Sequence, residues 1–234
     1  MTGPLHQPIV LASGNPKKLA EMREILGAIG LEIVGLNDLG LDLTEPEETG
    51  TTFAENARIK AIGYAQQTGR TCLADDSGLV VDALDGEPGV YSARYSADEH
   101  PGDLPRAERD RFNNEKLLRR LADTPLEDRT ARFVCAMCLA TPKLGEGSPP
   151  TGEASATITP PQILAETQGT FEGVIGLPGD VPRGVNGFGY DPLFLIKPDL
   201  ARSSAELTPG QKHALSHRGH AARAIAEKLR ALKP

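Results

Sequence analysis

The stretch Pro8-Ile9-Val10-Leu11-Ala12-Ser13-Gly14-Asn15-Pro16-Lys17-Lys18 indicates the fold class of this 234-residue chain. Its apolar first half predicts a short buried strand. Gly14 breaks that strand, and Asn15-Pro16 suits the N-cap and the first turn of a helix. We expect this helix over 16–26 and a second strand over 32–36. The order strand, loop, helix, strand predicts an α/β fold.

The rest of the chain continues the alternation of helices and strands. Thr52-Phe53-Ala54-Glu55 is a capping box that opens a helix to about residue 68, and Thr208-Pro209-Gly210-Gln211 opens the C-terminal helix in the same way. The segment 142–161 is rich in Pro, Gly, Ser and Thr, which predicts a surface insertion with a short hairpin rather than a domain boundary. Further elements are expected over 106–121 (a helix) and over 130–140, 171–175 and 192–196 (strands).

Composition excludes several classes of function. The net charge of −7 argues against broad binding of nucleic acid or of an acidic membrane surface, since either needs a basic face. Residues 1–7 lack the apolar stretch of a leader peptide and no apolar run reaches the length of a membrane span, so we expect neither and expect a cytoplasmic protein. The three cysteines are expected to be buried free thiols. Cys135 and Cys138 have C-x-x-C spacing, but they lie in an apolar strand without a second ligand pair, so they predict core rather than zinc.

The acidic pair Asp75-Asp76 is the most informative chemical feature. It follows an apolar run at 71–74 and precedes Ser77-Gly78, which favours a turn at the end of a strand. Adjacent carboxylates repel each other unless a cation lies nearby, and carboxylate oxygens suit Mg²⁺. Repulsion from Asp75 is expected to raise the pKa of Asp76, and a bound metal to oppose this. The alternative is a turn in which both aspartates are solvated.

Two further segments near the N-terminal half suit a phosphate and metal site. The loop from Ser13 to Lys18 combines a glycine, a helix N-terminus and two lysines, which favours an anion, although it lacks the Walker spacing. Either glutamate of Glu47-Glu48 could complete a metal site with Asp76. The alternatives are a plain helix cap with exposed lysines and a solvated acidic loop. Lys60, on the helix opened by Thr52, is either a site residue or an ordinary surface lysine.

Two segments in the C-terminal half suit recognition of a flat, polar ring. Asn186-Gly187-Phe188-Gly189-Tyr190-Asp191-Pro192 places two aromatic residues and a carboxylate among glycines, which favours stacking on a base and hydrogen bonding to its edge. Ser216-His217-Arg218-Gly219-His220, near the start of the last helix, offers donors for carbonyl oxygens. The alternatives are a tight turn with its aromatics in the core and a polar helix face.

Together these segments resemble one family. The chain resembles the inosine triphosphate pyrophosphatase family, also called Ham1-like, over about 9–229, and six motifs in one order make the resemblance specific. The resemblance implies an elongated, two-lobed α/β domain over 1–234 with a long mixed sheet, a central active-site cleft and a homodimeric state. The motifs are Ser13-Gly14-Asn15-Pro16-Lys17-Lys18, Glu47-Glu48-Thr49-Gly50, Ala74-Asp75-Asp76-Ser77-Gly78, Pro88-Gly89-Val90-Tyr91-Ser92-Ala93-Arg94-Tyr95, Gly187-Phe188-Gly189-Tyr190-Asp191-Pro192 and Ser216-His217-Arg218-Gly219.

The resemblance also implies residue roles. Ser13 to Lys18 would bind the triphosphate, Glu47 and Asp76 would hold Mg²⁺, and Asp76 would also be the catalytic carboxylate. Ser77 and Lys60 would contact the phosphates or align the attack. The nucleobase pocket would be formed by Phe188, Gly189, Tyr190, Asp191, Lys212, His217 and Arg218.

The implied reaction is Mg²⁺-dependent hydrolysis of ITP, dITP or XTP to the monophosphate and pyrophosphate, which cleanses the nucleotide pool. A donor such as Arg218 would favour a 6-oxo base over adenine. One alternative is a Maf-like pyrophosphatase with a different base preference, against which the motifs at 188–191 and 216–218 argue. The other is a nucleotide sensor without catalysis, which would leave Asp75-Asp76 unexplained.

Overall fold

The computed structural model describes residues 7–142 and 161–232. These residues form a mixed α/β structure. The strands are β1 (Ile9–Leu11), β2 (Ile33–Gly35), β3 (Cys72–Val81), β4 (Thr130–Thr141), β5 (Gln162–Ile175) and β6 (Phe194–Ile196). The α-helices are α1 (Pro16–Gly27), α2 (Phe53–Thr68), α3 (Arg106–Arg120), α4 (Pro209–Leu215) and α5 (His217–Leu232).

The strands form one six-stranded sheet in the order β2-β1-β3-β4-β5-β6. β1 pairs in parallel with both β2 and β3, whereas β5 and β6 are antiparallel. Parallel neighbours need a crossover connection, which α1 supplies between β1 and β2 and α2 supplies before β3. The sheet is therefore mixed, and the predicted α/β class is confirmed.

The chain divides into two compact units. Unit 1 comprises Met1–Asp76, Ala136–Thr167 and Ala222–Pro234, and unit 2 comprises Ser77–Cys135 and Gln168–Ala221. The boundary in β3 falls between Asp76 and Ser77, so these consecutive motif residues belong to different units.

Each unit has its own apolar core. In unit 1, α2 packs small side chains, Ala57, Ala61 and Ala65, among buried alanines and cysteines of the sheet strands. In unit 2 the core is aromatic and leucine-rich, and the Phe194 ring lies 4.6 Å from Phe133 and 5.4 Å from Phe171 between centroids. Small residues allow a helix to approach a sheet closely, whereas aromatic rings fill larger spaces.

Local signals placed most helix starts correctly. Thr52 caps α2 by accepting a hydrogen bond from the Glu55 amide, and Thr208 caps α4 by accepting one from the Gln211 amide. The helix that Thr208 opens ends at Leu215, because Ser216 adopts an extended conformation (φ −70°, ψ 153°) and separates α4 from α5. The segment 216–220 lies at the start of the last helix, as predicted, whereas the break before this helix was not predicted. The predicted hairpin and most of the predicted 142–161 insertion lie outside the described residues.

The predicted turn at Asp75-Asp76-Ser77-Gly78 is also wrong. All four residues lie inside β3, which continues without a break from Cys72 to Val81. The strand predicted over 171–175 is in fact the end of the longer β5. In both cases, pairing within the sheet outweighs the turn preference of Asp, Ser and Gly.

The three cysteines are buried free thiols, as predicted, and Cys135 and Cys138 lie in β4. Across the described residues, none of the helices combines the length and the apolar character needed to cross a membrane.

Candidate active site

Two lysines balance the negative charges of Asp75 and Asp76, the acidic pair of β3. Successive residues of a strand point to opposite faces of the sheet, so Asp75 and Asp76 have separate surroundings. The buried Asp75 carboxylate accepts hydrogen bonds from Lys18 Nζ at 2.9 and 2.8 Å. Asp76 is half-buried, and its Oδ1 lies 3.3 Å from Lys60 Nζ. Each carboxylate therefore has its own counter-charge.

Helix α2 supplies the partners of Asp76. Asn56 and Lys60 are four residues apart, so they lie on the same helix face. Asn56 Nδ2 donates to Asp76 Oδ2 at 3.3 Å, while Lys60 Nζ contacts Oδ1. Lys60 Nζ also lies 2.7 Å from Glu48 Oε1, so one ammonium contacts two carboxylates. This arrangement favours the site-residue hypothesis for Lys60, which is itself buried.

The pKa values of this pair are shifted by burial and by charge. Burial raises the pKa of Asp76; Lys60 opposes this shift, and Glu48 adds to it. The leading causes are thus burial and these two neighbours rather than the predicted repulsion from Asp75. Burial would lower the pKa of Lys60, but the Asp76 and Glu48 carboxylates outweigh that effect and raise it. Lys60 therefore stays charged, while Asp76 becomes a stronger proton acceptor than an exposed aspartate.

A cavity of about 350 Å³ in unit 1 is lined by Ser13 and Gly14 of the loop before α1, by Lys18 in the first turn of α1, and by Lys60 and Asp75. A loop glycine and two lysine side chains around a cavity suit an anionic ligand. The backbone of Lys17 lies in α1, and its side chain is outside the described part of the chain. The structure thus brings the predicted phosphate loop next to the predicted catalytic lysine.

The two glutamates of the acidic loop differ in their placement. Glu47 is exposed, whereas Glu48 is half-buried and contacts Lys60. Within the described residues, no three His, Cys, Asp or Glu side chains form a metal-binding group. Mg²⁺ is commonly held by one or two carboxylates together with substrate phosphates. Asp76 and Glu48 fit that donor set, because both contact the same ammonium and the repulsion between them raises the pKa of Asp76.

In unit 2, Arg218 and His217 begin α5 in buried positions. Arg218 Nη2 donates to Ser77 Oγ at 3.1 Å, and the His217 ring stacks on Phe133 with a centroid distance of 5.1 Å. Gly169 of β5 permits this placement, because a Cβ there would lie 2.3 Å from the His217 carbonyl oxygen. The predicted residues Ser77, His217 and Arg218 therefore belong to one connected group.

The loop around Phe188 is held by a buried ion pair. Asp191 is buried and bonds Lys212 Nζ, Ser204 Oγ at 2.8 Å and the Phe188 amide at 2.8 Å. A Cβ on Gly187, whose φ is +84°, would overlap the Asp191 carboxylate and approach Lys212. The carboxylate and the ammonium thus fix the loop conformation and each other.

The two aromatic residues of this loop have different environments. Phe188 is 36% exposed, so its ring is available to a flat ligand. Tyr190 is buried and donates its hydroxyl to the Ser92 carbonyl oxygen at 2.8 Å. Tyr190 therefore acts as an anchor in the core of unit 2, which was the alternative interpretation of this aromatic, while Phe188 fits the stacking role.

Sequence reasoning missed Asn56 as a site residue. Its Nδ2 binds Asp76 and its Oδ1 accepts a hydrogen bond from the Gly50 amide at 2.8 Å, which ties the acidic loop to α2. Its position one helical turn before Lys60 was the available signal.

Comparisons with known proteins point to one family. The model of the Ham1 family matches residues 9–228. Proteins named dITP/XTP pyrophosphatase are similar to this chain: one from Nitratidesulfovibrio vulgaris is 49% identical over 219 residues, with 94% of each chain covered. One from Exiguobacterium sibiricum is 45% identical over 94% of this chain and 96% of its own.

Solved structures give the same assignment. The Staphylococcus aureus Ham1 protein is 36% identical, with a TM-score of 0.75, and the match covers 97% of this chain and 100% of that one. A nucleoside-triphosphatase, also titled dITP/XTP pyrophosphatase, from Mycobacterium abscessus is 42% identical, with a TM-score of 0.66, over 94% of this chain and 98% of that one. The chain belongs to the Ham1 family.

Proposed function

We propose that this chain is a nucleoside triphosphate pyrophosphatase that hydrolyses non-canonical purine nucleotides, ITP, dITP and XTP, to the monophosphate and pyrophosphate. The single observation that carries the proposal is the Lys60–Asp76 pair beside a cavity lined by Ser13, Gly14 and Lys18. The names of the relatives, which are dITP/XTP pyrophosphatases, support the substrate class.

The unit 1 group would bind the phosphates. Gly14 is exposed and a Cβ there would meet no atom within 4 Å, so the protein itself does not require glycine at this position. A ligand lying against the backbone would require it. Lys18 and Lys60 would offset the negative charge of the triphosphate, and Lys60 would do so as the charge on the leaving pyrophosphate increases.

Mg²⁺ would be held by Asp76 and a glutamate of the acidic loop. Bound there, it would act as a Lewis acid toward the phosphoryl oxygens. Because Glu48 is the glutamate beside Lys60, we expect Glu48→Gln to raise the half-saturating Mg²⁺ concentration at least about tenfold, and Glu47→Gln to raise it less. The reverse order would support the role of Glu47 that the family resemblance implies.

The Asp76 carboxylate would accept the proton of the attacking water. Burial raises the pKa of this carboxylate, bound Mg²⁺ would oppose that shift, and the hydrogen bonds from Asn56 and Lys60 fix its orientation. Attack on the α-phosphorus would release pyrophosphate as the leaving group.

The unit 2 group would recognise the base. Phe188 would stack on the purine, and the charged donors Arg218 and Lys212 would favour a 6-oxo group over the 6-amino group of adenine. A buried donor that meets an amine is left unpaired, which costs about 1–3 kcal/mol. ITP, dITP and XTP should therefore turn over at least about tenfold faster than ATP.

A cleansing role in the cell and a homodimeric state rest on the family resemblance. Removing non-canonical nucleotides would cleanse the nucleotide pool. The chain would act as a homodimer, which light scattering on the purified protein would test: a mass near twice 24.9 kDa supports the dimer, and a mass near 24.9 kDa contradicts it.

The function is tested by incubating the purified chain with Mg²⁺ and ITP, dITP, XTP, GTP, ATP, UTP or dTTP, and measuring pyrophosphate and orthophosphate separately. Pyrophosphate released far faster from ITP, dITP and XTP than from GTP or ATP, with at least about a hundredfold loss in Asp76→Asn, supports the proposal, and equal rates on all of these purine nucleotides would contradict it. The matched control is Asp82→Asn, which removes an exposed carboxylate just beyond the end of the same strand and should leave turnover unchanged.

Other products would identify the alternatives. Preference for UTP or dTTP would indicate a Maf-like enzyme. Tight nucleotide binding without turnover would indicate a sensor, and orthophosphate as the first product would indicate a phosphatase.

A further inference from the structure

One face of α3 contacts the loop that carries Phe188. Arg106, Asp110 and Asn114 follow one another at intervals of four residues, so they form a single row along the helix, here called the α3 row. None of these residues belongs to the motifs that point to the family. All three nevertheless contact the segment Phe188-Gly189 within unit 2.

The α3 row binds both polar groups of a single loop residue. Asp110 Oδ2 accepts a hydrogen bond from the Gly189 amide at 3.0 Å, and Asn114 Nδ2 donates one to the Gly189 carbonyl oxygen at 3.1 Å. One turn before Asp110, the Arg106 guanidinium lies 4.5 Å from the centroid of the Phe188 ring. Arg106 Nε also lies 3.8 Å from Asp110 Oδ2, which holds the guanidinium in place.

The C-terminal part of the loop is held by other residues of unit 2. Tyr190 is already fixed in the core through its hydroxyl, and Asp191 is buried with Lys212. The Asp191 carboxylate binds the Phe188 amide, while the Phe188 ring is 36% exposed and Gly189 has a φ of +61°, a conformation open to glycine. The α3 row therefore adds contacts to the Phe188 ring and to both polar groups of Gly189, beyond those that Asp191 makes.

We infer that Asp110 and Asn114 are positioning residues for base recognition: by fixing both polar groups of Gly189 they hold the Phe188 ring ready to stack on the purine. The inference rests on the proposed function for its substrate. Ordering the ring before the ligand arrives reduces the entropy lost on binding. Loss of this order should weaken binding of the nucleotide and leave the chemistry at Asp76 unchanged.

The test compares Asp110→Ala with the conservative variant Asp110→Asn. Alanine removes the acceptor of the Gly189 amide, whereas the asparagine Oδ1 can still accept that hydrogen bond. One lost hydrogen bond predicts an increase of about fivefold in KM for ITP, with kcat unchanged within about twofold. Hydrogen exchange at 185–190 in the ligand-free protein should rise about fivefold in Asp110→Ala only.

The matched control is Glu115→Ala, which removes an acidic residue of the same helix that pairs with the exposed Arg111 and lies outside the α3 row. It should behave as the native chain in both measurements. The inference is overturned if Asp110→Ala leaves loop exchange and KM unchanged, if it lowers kcat instead, or if Asp110→Asn is as damaging as alanine.

Failure of the proposed function is distinguishable from failure of this inference. If the native chain binds ITP but releases no pyrophosphate, the function is wrong, and the dissociation constant of ITP then replaces KM. A fivefold weaker binding in Asp110→Ala, together with faster loop exchange, still supports the role of the α3 row. Unchanged binding overturns it.

Discussion

At the scale of single residues, Asp75 and Asp76 show how two adjacent carboxylates can be stable in one strand. Their side chains point to opposite faces, and each meets a different lysine, Lys18 for the buried Asp75 and Lys60 for Asp76. Only Asp76 also meets a second carboxylate, that of Glu48, through the shared ammonium. We therefore propose that Asp76, rather than Asp75, carries the chemistry.

The loop glycine Gly14 gives a test that separates stability from binding. A Cβ at this position meets no protein atom within 4 Å, so Gly14→Ala should change the free energy of unfolding by less than about 0.5 kcal/mol. If a phosphate lies against the loop backbone, the methyl group should raise KM for ITP about tenfold or more. Urea denaturation and steady-state kinetics measure the two quantities, and an unchanged KM would place the phosphates elsewhere.

Gly187→Ala is the contrasting variant. Its Cβ would overlap Asp191 and approach Lys212, and its φ of +84° disfavours any side chain. This substitution should therefore lower stability as well as binding, whereas Gly14→Ala should lower binding alone.

At the scale of elements, the buried side chain of Arg129 binds the residues that follow helix α3. The Arg129 side chain is almost fully buried and donates to three carbonyl oxygens, those of Leu121 (2.6 Å), Thr124 (2.8 Å) and Gly176 (3.1 Å). Leu121 and Thr124 follow the end of α3, and Gly176 follows β5. The guanidinium thus joins the ends of both elements within unit 2.

Replacing this arginine should destabilise the fold strongly. Arg129→Met keeps the apolar stem but removes three hydrogen bonds to carbonyl oxygens, of which that of Leu121 still accepts one from the Thr124 amide, and this predicts a loss of about 3–5 kcal/mol in the free energy of unfolding. Arg129→Lys, with a single ammonium group, should recover only part of this loss. Chemical denaturation of both variants measures the effect; a loss below about 1 kcal/mol for methionine would show that water replaces the donor.

The helices were predictable because their signals are local. The capping boxes at Thr52 and Thr208 lie within four residues and are visible in the sequence. The strands were less predictable because their signals are in other segments. Gly169 and Gly173 weaken the strand pattern of β5, yet they are needed where His217 and Phe194 approach its backbone. Such close contacts between distant residues leave no local pattern.

The candidate site likewise contains residues that the sequence proposed and residues that it missed. The motifs and the family resemblance proposed Ser13, Lys60, Asp76 and Arg218 as site residues, and the structure places Lys60 against Asp76 and Arg218 against Ser77. Asn56 and Asp110 were missed, because an amide or a carboxylate on a regular helix is indistinguishable from a surface residue until its partner is known.

At the scale of the whole molecule, the three free thiols lie in both units and all are buried. Burial raises the pKa of Cys72 to about 11 and that of Cys138 to about 12. Because only the thiolate reacts, no thiol of the folded protein should react with a thiol reagent at pH 8 within about an hour. In denaturant all three should react, and rapid labelling of the folded chain would contradict the buried placement.

The same shifts predict how stability depends on pH. The folded-state pKa values lie above those of free thiols, so the folded state binds protons more tightly. The stabilisation is fully present below about pH 8.5 and is lost as the pH rises toward 11. Cys72→Ala should reduce this alkaline loss of stability in denaturation measured from pH 8 to pH 11, and an unchanged slope would contradict the shift.

We propose that water attacks the α-phosphorus of ITP, dITP or XTP at a site that requires Asp76. Hydrolysis of ITP in ¹⁸O-labelled water with Mg²⁺ tests this most directly, because the label marks the phosphorus that is attacked. We predict the label in the monophosphate and unlabelled pyrophosphate, with both products lost in Asp76→Asn. Label in pyrophosphate or orthophosphate would contradict it.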